Sequence, residues 1–284
     1  MTTPARPYRS ALYIPGSNAR ALEKAKVLAC DAILFDLEDA VAADEKINAR
    51  TMLAAAIGQG GYGARAKIVR VNGFDTAWGR EDVAAFAGLP VDGILLPKVN
   101  SATDLDALAA LIPDAALWAM METPLAMLNA AEIAEHPRLA GMVMGTNDLA
   151  KELNSRFRPD RLALQSSLQT CLLAARAHGV IAIDGVYNAF KDTDGLQFEC
   201  EQGRDLGFDG KSLIHPAQLA VTNAAFAPST EELDLARRQI EAFEAAKKDG
   251  LGVAVVDGKI VENLHIVTAQ ALLAKAEVIA TMEG

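Results

Sequence analysis

The chain has 284 residues, 51% hydrophobic and 23% charged, which provides material for a sizeable core and excludes disorder over most of its length. A formal charge of −10 without a basic stripe excludes a nucleic-acid phosphate backbone as partner. The apolar runs read as strand-length and charge-interrupted, and residues 1–9 lack a signal-peptide core, so no membrane partner and a cytoplasmic location are expected.

Short β-branched and apolar runs alternate with helical spacing along the chain, the pattern of repeated βα units. Strands are expected at 10–15, 32–39, 66–72, 93–99, 117–122, 141–145, 180–185 and 208–214, and their nearly continuous apolar character suits parallel strands covered by helices. Helices are expected at 19–29, 45–57, 102–111, 159–178 and 193–206, with Asp44 and Ser101 as caps. Eight such units over this length predict a closed (β/α)8 TIM barrel within α/β folds, in preference to an open doubly wound sheet. A charged helix over about 230–248 leads to a hairpin turning at Asp257-Gly258, and a last helix spans about 265–282. The barrel is assigned to 1–228 and a helix–hairpin–helix lid or oligomerisation extension to 229–284.

Cys30, Cys171 and Cys200 are far apart in apolar or helical surroundings and read as packing residues. The four histidines show no zinc-ligand spacing. Gly58-Gln-Gly60-Gly-Tyr-Gly63 matches a dinucleotide-binding string, but it follows a helix and precedes a strand, so it is a linker.

Working residues of such barrels lie at the C-terminal ends of strands. Glu122 and Asp148 end successive strands, whose axes should lie about 5 Å apart, so the two carboxylates are placed to share a hard cation, with Mg2+ the natural choice. The other reading is that both acids cap helices or pair with lysines. Asp36 and Glu38 point to one side of their strand, while Asp39 points away or begins the loop. Arg70 can neutralise the first two in a structural network or grip a substrate carboxylate, and the second role is assigned to it here. The turn at Pro15, Gly16 and Ser17, with Arg20 and Lys24 following, offers backbone N–H groups and cations to phosphate.

The blocks Arg9-Ser-Ala-Leu-Tyr-Ile-Pro-Gly16, Asp36-Leu-Glu-Asp-Ala-Val41, Arg70-Val-Asn72, Leu96-Pro-Lys98, Met121-Glu-Thr-Pro124, Asn147-Asp-Leu149, Ala182-Ile-Asp-Gly-Val-Tyr187, Gly207-Phe-Asp-Gly-Lys211 and Ile214-His-Pro216 resemble, in order, the signature blocks of the CitE-like, HpcH/HpaI-type CoA ester lyases. The resemblance implies Mg2+, for which Mn2+ could substitute, on Glu122 and Asp148, and a substrate carboxylate on Arg70. It further implies an oxo-acid pocket involving Glu122, Thr123, Pro124, Gly145 and Asn147, and coenzyme A near Pro15, Gly16, Ser17, Arg20 and Lys24. Asp39 and Glu262 join Arg70 as catalytic candidates, and the tail is implied to be a lid in a homotrimer or hexamer. Lyases of the family usually carry an aspartate, a small residue and proline after the tail hairpin, where this chain has Val261-Glu262-Asn263-Leu264-His265, so Glu262 keeps the carboxylate on a longer arm. The activity expected is retro-Claisen cleavage of malyl-CoA or citramalyl-CoA to acetyl-CoA and a 2-oxo acid. Its rivals are malyl-CoA hydrolysis, a citrate lyase β-subunit on a carrier-protein thioester, a CoA-independent aldolase, and a non-catalytic barrel binding CoA esters or oxo acids.

Overall fold

The computed structural model describes residues 6–283. They form two compact units, one spanning Tyr8–Phe226 and the other containing the tail from Ala227. In the first unit, strands β1 (Ser10–Pro15), β2 (Ala32–Asp36), β3 (Ala66–Arg70), β4 (Gly93–Leu96), β5 (Ala116–Met121), β6 (Leu139–Met144), β7 (Ile181–Asp184) and β8 (Gly210–Leu213) close into a barrel in sequence order. All the pairings are parallel, including β8 back onto β1 with Leu12 opposite Leu213. The expected eight-stranded barrel is thus the observed fold.

Ten helices belong to this unit: α1 (Ala19–Ala25), α2 (Lys46–Gln59), α3 (Gly79–Phe86), α4 (Ala102–Ala109), α5 (Pro124–Leu128), α6 (Ala130–Ala134), α7 (Thr146–Glu152), α8 (Gln165–His178), α9 (Thr193–Leu206) and α10 (Leu219–Phe226). Helices α3, α5, α6, α7 and α10 have no counterpart among the expected elements. They are short, and spacing is hard to read over one or two turns. Ser101 caps α4 as expected, its backbone N–H donating to Asp104 Oδ2 at 3.0 Å. Asp44 does not cap α2; it lies within a 3-10 turn, Ala43–Glu45. Helix α8 starts at Gln165, nearly two turns later than the predicted 159, because residues 159–164 form turns around Arg161, whose φ of 49° is left-handed.

The period of two along each strand sorts its side chains between two cores. Ala11, Ala32, Leu34, Ala66, Ile68, Trp118, Met120 and Val143 fill the barrel interior, while Leu12, Ile33, Phe35, Val69, Leu117 and Met142 face the helices. Continued to the C-terminal ends, the same alternation carries Tyr13, Asp36, Arg70 and Glu122 toward the barrel axis, and all four line one cavity there. It sends Asp184 the opposite way, toward α9, where its carboxylate lies next to Gly203. Cys30, Cys171 and Cys200 are buried free thiols, as packing residues should be.

In the tail, α11 (Thr230–Lys248), β9 (Ala254–Val256), β10 (Lys259–Val261) and α12 (Asn263–Glu283) follow. The hairpin turns at Asp257 and Gly258, whose φ angles of 50° and 75° are those of a primed turn. Ala254, Val261 and Ile266 form a small core with Ile240 and Phe243 of α11. One expectation is corrected here: α12, at 21 residues and a hydropathy of 1.2, is long and apolar enough by length and composition to cross a membrane.

Candidate functional site

A cavity of about 320 Å³ opens at the C-terminal mouth of the barrel, lined by Tyr13, Pro15, Asp36, Asp39, Arg70, Glu122, Gly145, Asn147 and Asp148 among others. Arg70 organises one wall. Its Nε and Nη2 donate to Asp36 Oδ1 and Oδ2 at 2.8 and 2.6 Å. Its Nη1 lies 2.8 Å from Glu38 Oε2 and 3.3 Å from Asp39 Oδ2, and its guanidinium sits 4.9 Å from the Tyr13 ring centroid. The two acids expected to need a nearby cation therefore share one. Asp39 lies in the loop after β2, the second of its two expected places, because β2 ends at Asp36 and the chain turns at once, bringing it to Arg70. Asp36 enforces that turn by accepting from the backbone N–H of Glu38 and Ala40 at 2.9 and 3.1 Å. Most of Arg70's donors are thus engaged, and Asp39 is the most exposed of its three acids.

The other wall is the acid pair. Glu122 is buried and its Oε1 accepts from the Lys98 backbone N–H at 2.8 Å. Burial, reinforced by the negative charge of Glu38, pushes the Glu122 carboxyl up to about 8. Glu38 is pushed up to about 7, again by burial, with Arg70 opposing. Asp148, half-buried at the start of α7, adds its field to Glu122. Gly145 allows the two strand ends to approach, since a Cβ there would collide with Cβ and Oε2 of Glu122. Among the described residues no cluster of three or more His, Cys, Asp and Glu donors forms a metal cage. Two converging carboxylates in an acid-rich cavity, one with an oxygen free of hydrogen bonds, nevertheless fit Mg2+, which takes few protein ligands and leaves the rest to water and substrate.

Other expected site residues lie elsewhere. Thr123 and Pro124 are not in the cavity lining; Thr123 Oγ1 accepts from Ala126 N at 3.0 Å and Pro124 is the first residue of α5, so both build that helix start. Asn147 lines the cavity but is exposed, its amide exchanging hydrogen bonds with Asn188 at 2.8 and 3.1 Å. Pro15 lines the cavity, Ser17 is half-buried, and Arg20 and Lys24 are exposed on α1. The turn offers fewer free amides than expected, since Gly16 N donates to Asp36 O and Asn18 N to Pro15 O at 2.8 and 3.2 Å. Glu262 lies in the other unit, exposed, its backbone N–H donating to His265 Nδ1 at 3.0 Å. Sequence reasoning marks Lys98 only as a polar strand end and gives no role to it or to Tyr13, although both lie within quoted blocks.

The fold and cavity define an α/β barrel that presents acids at the C-terminal face of its strands. The chain belongs to the HpcH/HpaI aldolase/citrate lyase family, whose model matches residues 9–216. It is 71% identical to a (3S)-malyl-CoA thioesterase of Cereibacter sphaeroides over 99% of this chain and 98% of the relative. It is also 37% identical to the citrate lyase β-subunit of Escherichia coli, covering 96% and 94% of the two chains. The crystal structure of CitE from Mycobacterium tuberculosis in complex with magnesium, acetoacetate and coenzyme A superposes with a TM-score of 0.79 at 32% identity, covering 96% of this chain and 98% of that one.

Proposed function

We propose that this protein hydrolyses the thioester of a malyl-type 3-hydroxyacyl-coenzyme A, releasing the free hydroxy acid and coenzyme A. The observation that carries this reading is the 71% identity to a (3S)-malyl-CoA thioesterase along nearly the full length of both chains. It replaces carbon–carbon cleavage as the leading reading.

Glu122 and Asp148 would hold Mg2+, which when bound supplies Lewis acidity and a template for the substrate's oxygens. Arg70, fixed by Asp36 and Glu38, would receive the malyl carboxylate as Asp39 gives way. A water adds to the acyl carbon, the carbon–sulfur bond breaks, and the water's proton ends on the departing sulfur. Glu38, with its carboxyl near 7, is matched to accept and return that proton at neutral pH.

The second reading is the lyase, favoured by the citrate lyase relatives and by the CitE structure holding magnesium with acetoacetate and coenzyme A. Incubation of malyl-CoA with the protein and Mg2+ separates them. Hydrolysis gives malate and free coenzyme A in equal amounts, whereas acetyl-CoA with glyoxylate would replace this proposal by the lyase. An unchanged thioester would leave a binding protein.

A further inference from the structure

Among the described residues, four other than glycine hold a left-handed backbone: Lys98, Asn154, Arg161 and Asp257. Asn and Asp tolerate this region because their short side chains bond locally, but lysine has no such relief. Lys98 nonetheless sits at φ 51°, immediately after Pro97 at the end of β4. That conformation brings its N–H within 2.8 Å of Glu122 Oε1, a contact running from one strand end to the next. Oε2 is the oxygen beside Gly145, where the missing Cβ leaves space. The Lys98 side chain is exposed and its ammonium makes no ion pair within 4 Å among the described residues, so side-chain pairing does not explain the strained backbone.

We propose that Lys98 is a positioning residue for the cation site: its left-handed turn aims a backbone amide at Glu122 Oε1 and thereby presents Oε2 to a divalent ion shared with Asp148. The inference rests on the Mg2+ role given to the acid pair under the proposed function. The side chain acts in the opposite sense. The ammonium lies in the field of Glu38, Glu122, Asp148 and Asp39 and competes with an added cation.

The two effects separate in variants that lose the same charge but differ in left-handed tolerance. In Lys98→Gly and Lys98→Asn the turn survives and the ammonium is gone, so Mg2+, titrated calorimetrically into the full chain, should bind about 2–5-fold tighter than wild type. In Lys98→Val the β-branched side chain drives the backbone out of this region, and Mg2+ should bind about 10-fold weaker or worse. Thermal unfolding checks that each variant is folded, and Lys98→Ala takes the place of valine if that variant is not. Equal affinities across the series, or equal weakening in all variants, would overturn the role of the amide while leaving the acid pair intact. Failure of the wild type to bind Mg2+ at all would instead remove the acid-pair reading, and this inference with it.

Discussion

Two clusters of buried charge in the barrel unit differ in balance. Between the sheet and α9, Lys211 Nζ donates to Asp184 Oδ2 and Glu199 Oε1 at 3.0 and 2.6 Å, while Arg161 Nη1 holds Asp184 at 2.7 Å, so cations and anions match. At the mouth, Asp36, Glu38, Asp39, Glu122 and Asp148 outnumber Arg70, Lys98 and Lys46 among the described residues. The consequences for protonation are opposite. Burial alone would raise the Asp184 carboxyl, yet Lys211 and Arg161 draw it below its ordinary value; burial raises Glu122 to about 8 and no partner brings it back. A balanced network stabilises the fold, whereas one left short of positive charge is built to receive it.

Lys211→Met should break the comparison on the structural side. It leaves Arg161, among the described residues, as the one cation against two buried carboxylates, and an unfolding titration should show a loss of about 3–5 kcal/mol with Mg2+ affinity unchanged. The sign with pH follows from the shifts. Asp184 lies below its ordinary 3.8, so its contribution is present above that pH and is lost as acid carries it through the depressed native value. Lys211 lies above its ordinary 10.5, so its contribution is present below that pH and is lost as base carries it through the raised native value. Wild-type stability should therefore fall below about pH 4, and the Met variant should show a shallower acid limb.

Glu122→Gln or Asp148→Asn should do the reverse. Mg2+-dependent turnover drops about 100-fold or more, while unfolding in the absence of metal shows no loss, because a neutral amide fits an acid-rich mouth at least as well as the carboxyl it replaces. Arg70→Lys sharpens the contrast within the mouth. One ammonium cannot grip Asp36 with two bonds and still reach Glu38 and Asp39, so kcat/KM should fall about 10-fold, and unchanged kinetics would show that the fork geometry is unused. The smallest effect is expected at Glu262. Hydrolysis moves no proton to carbon, so Glu262→Gln should leave release of coenzyme A within about 3-fold, whereas a lyase would lose about 100-fold through its missing acid.

Much of the mouth was legible because strand ends are legible. Glu122, Asp148 and Arg70 each terminate an apolar run, and in a parallel barrel every such end reaches the same face. Arg70's engagement with three acids at once was not legible, because it depends on β2 stopping at Asp36 and the chain folding back at Glu38 and Asp39. Thr123 and Pro124 are pocket residues by the family resemblance, yet here they start α5, a role that residue type alone signals. Lys98 escaped because a backbone amide in a left-handed turn leaves no mark in residue type.

By itself the sequence determined the periodicities, and with them eight strands, the barrel and which residues stand at its working rim, because side-chain alternation and βα repetition are local properties. Tertiary structure alone decided which rim acids are neutralised and which stay unpaired. That outcome depends on distances of a few ångströms between residues far apart in the chain, such as Asp36 and Arg70, 34 positions from each other, and electrostatic energy in a desolvated mouth changes steeply over such distances.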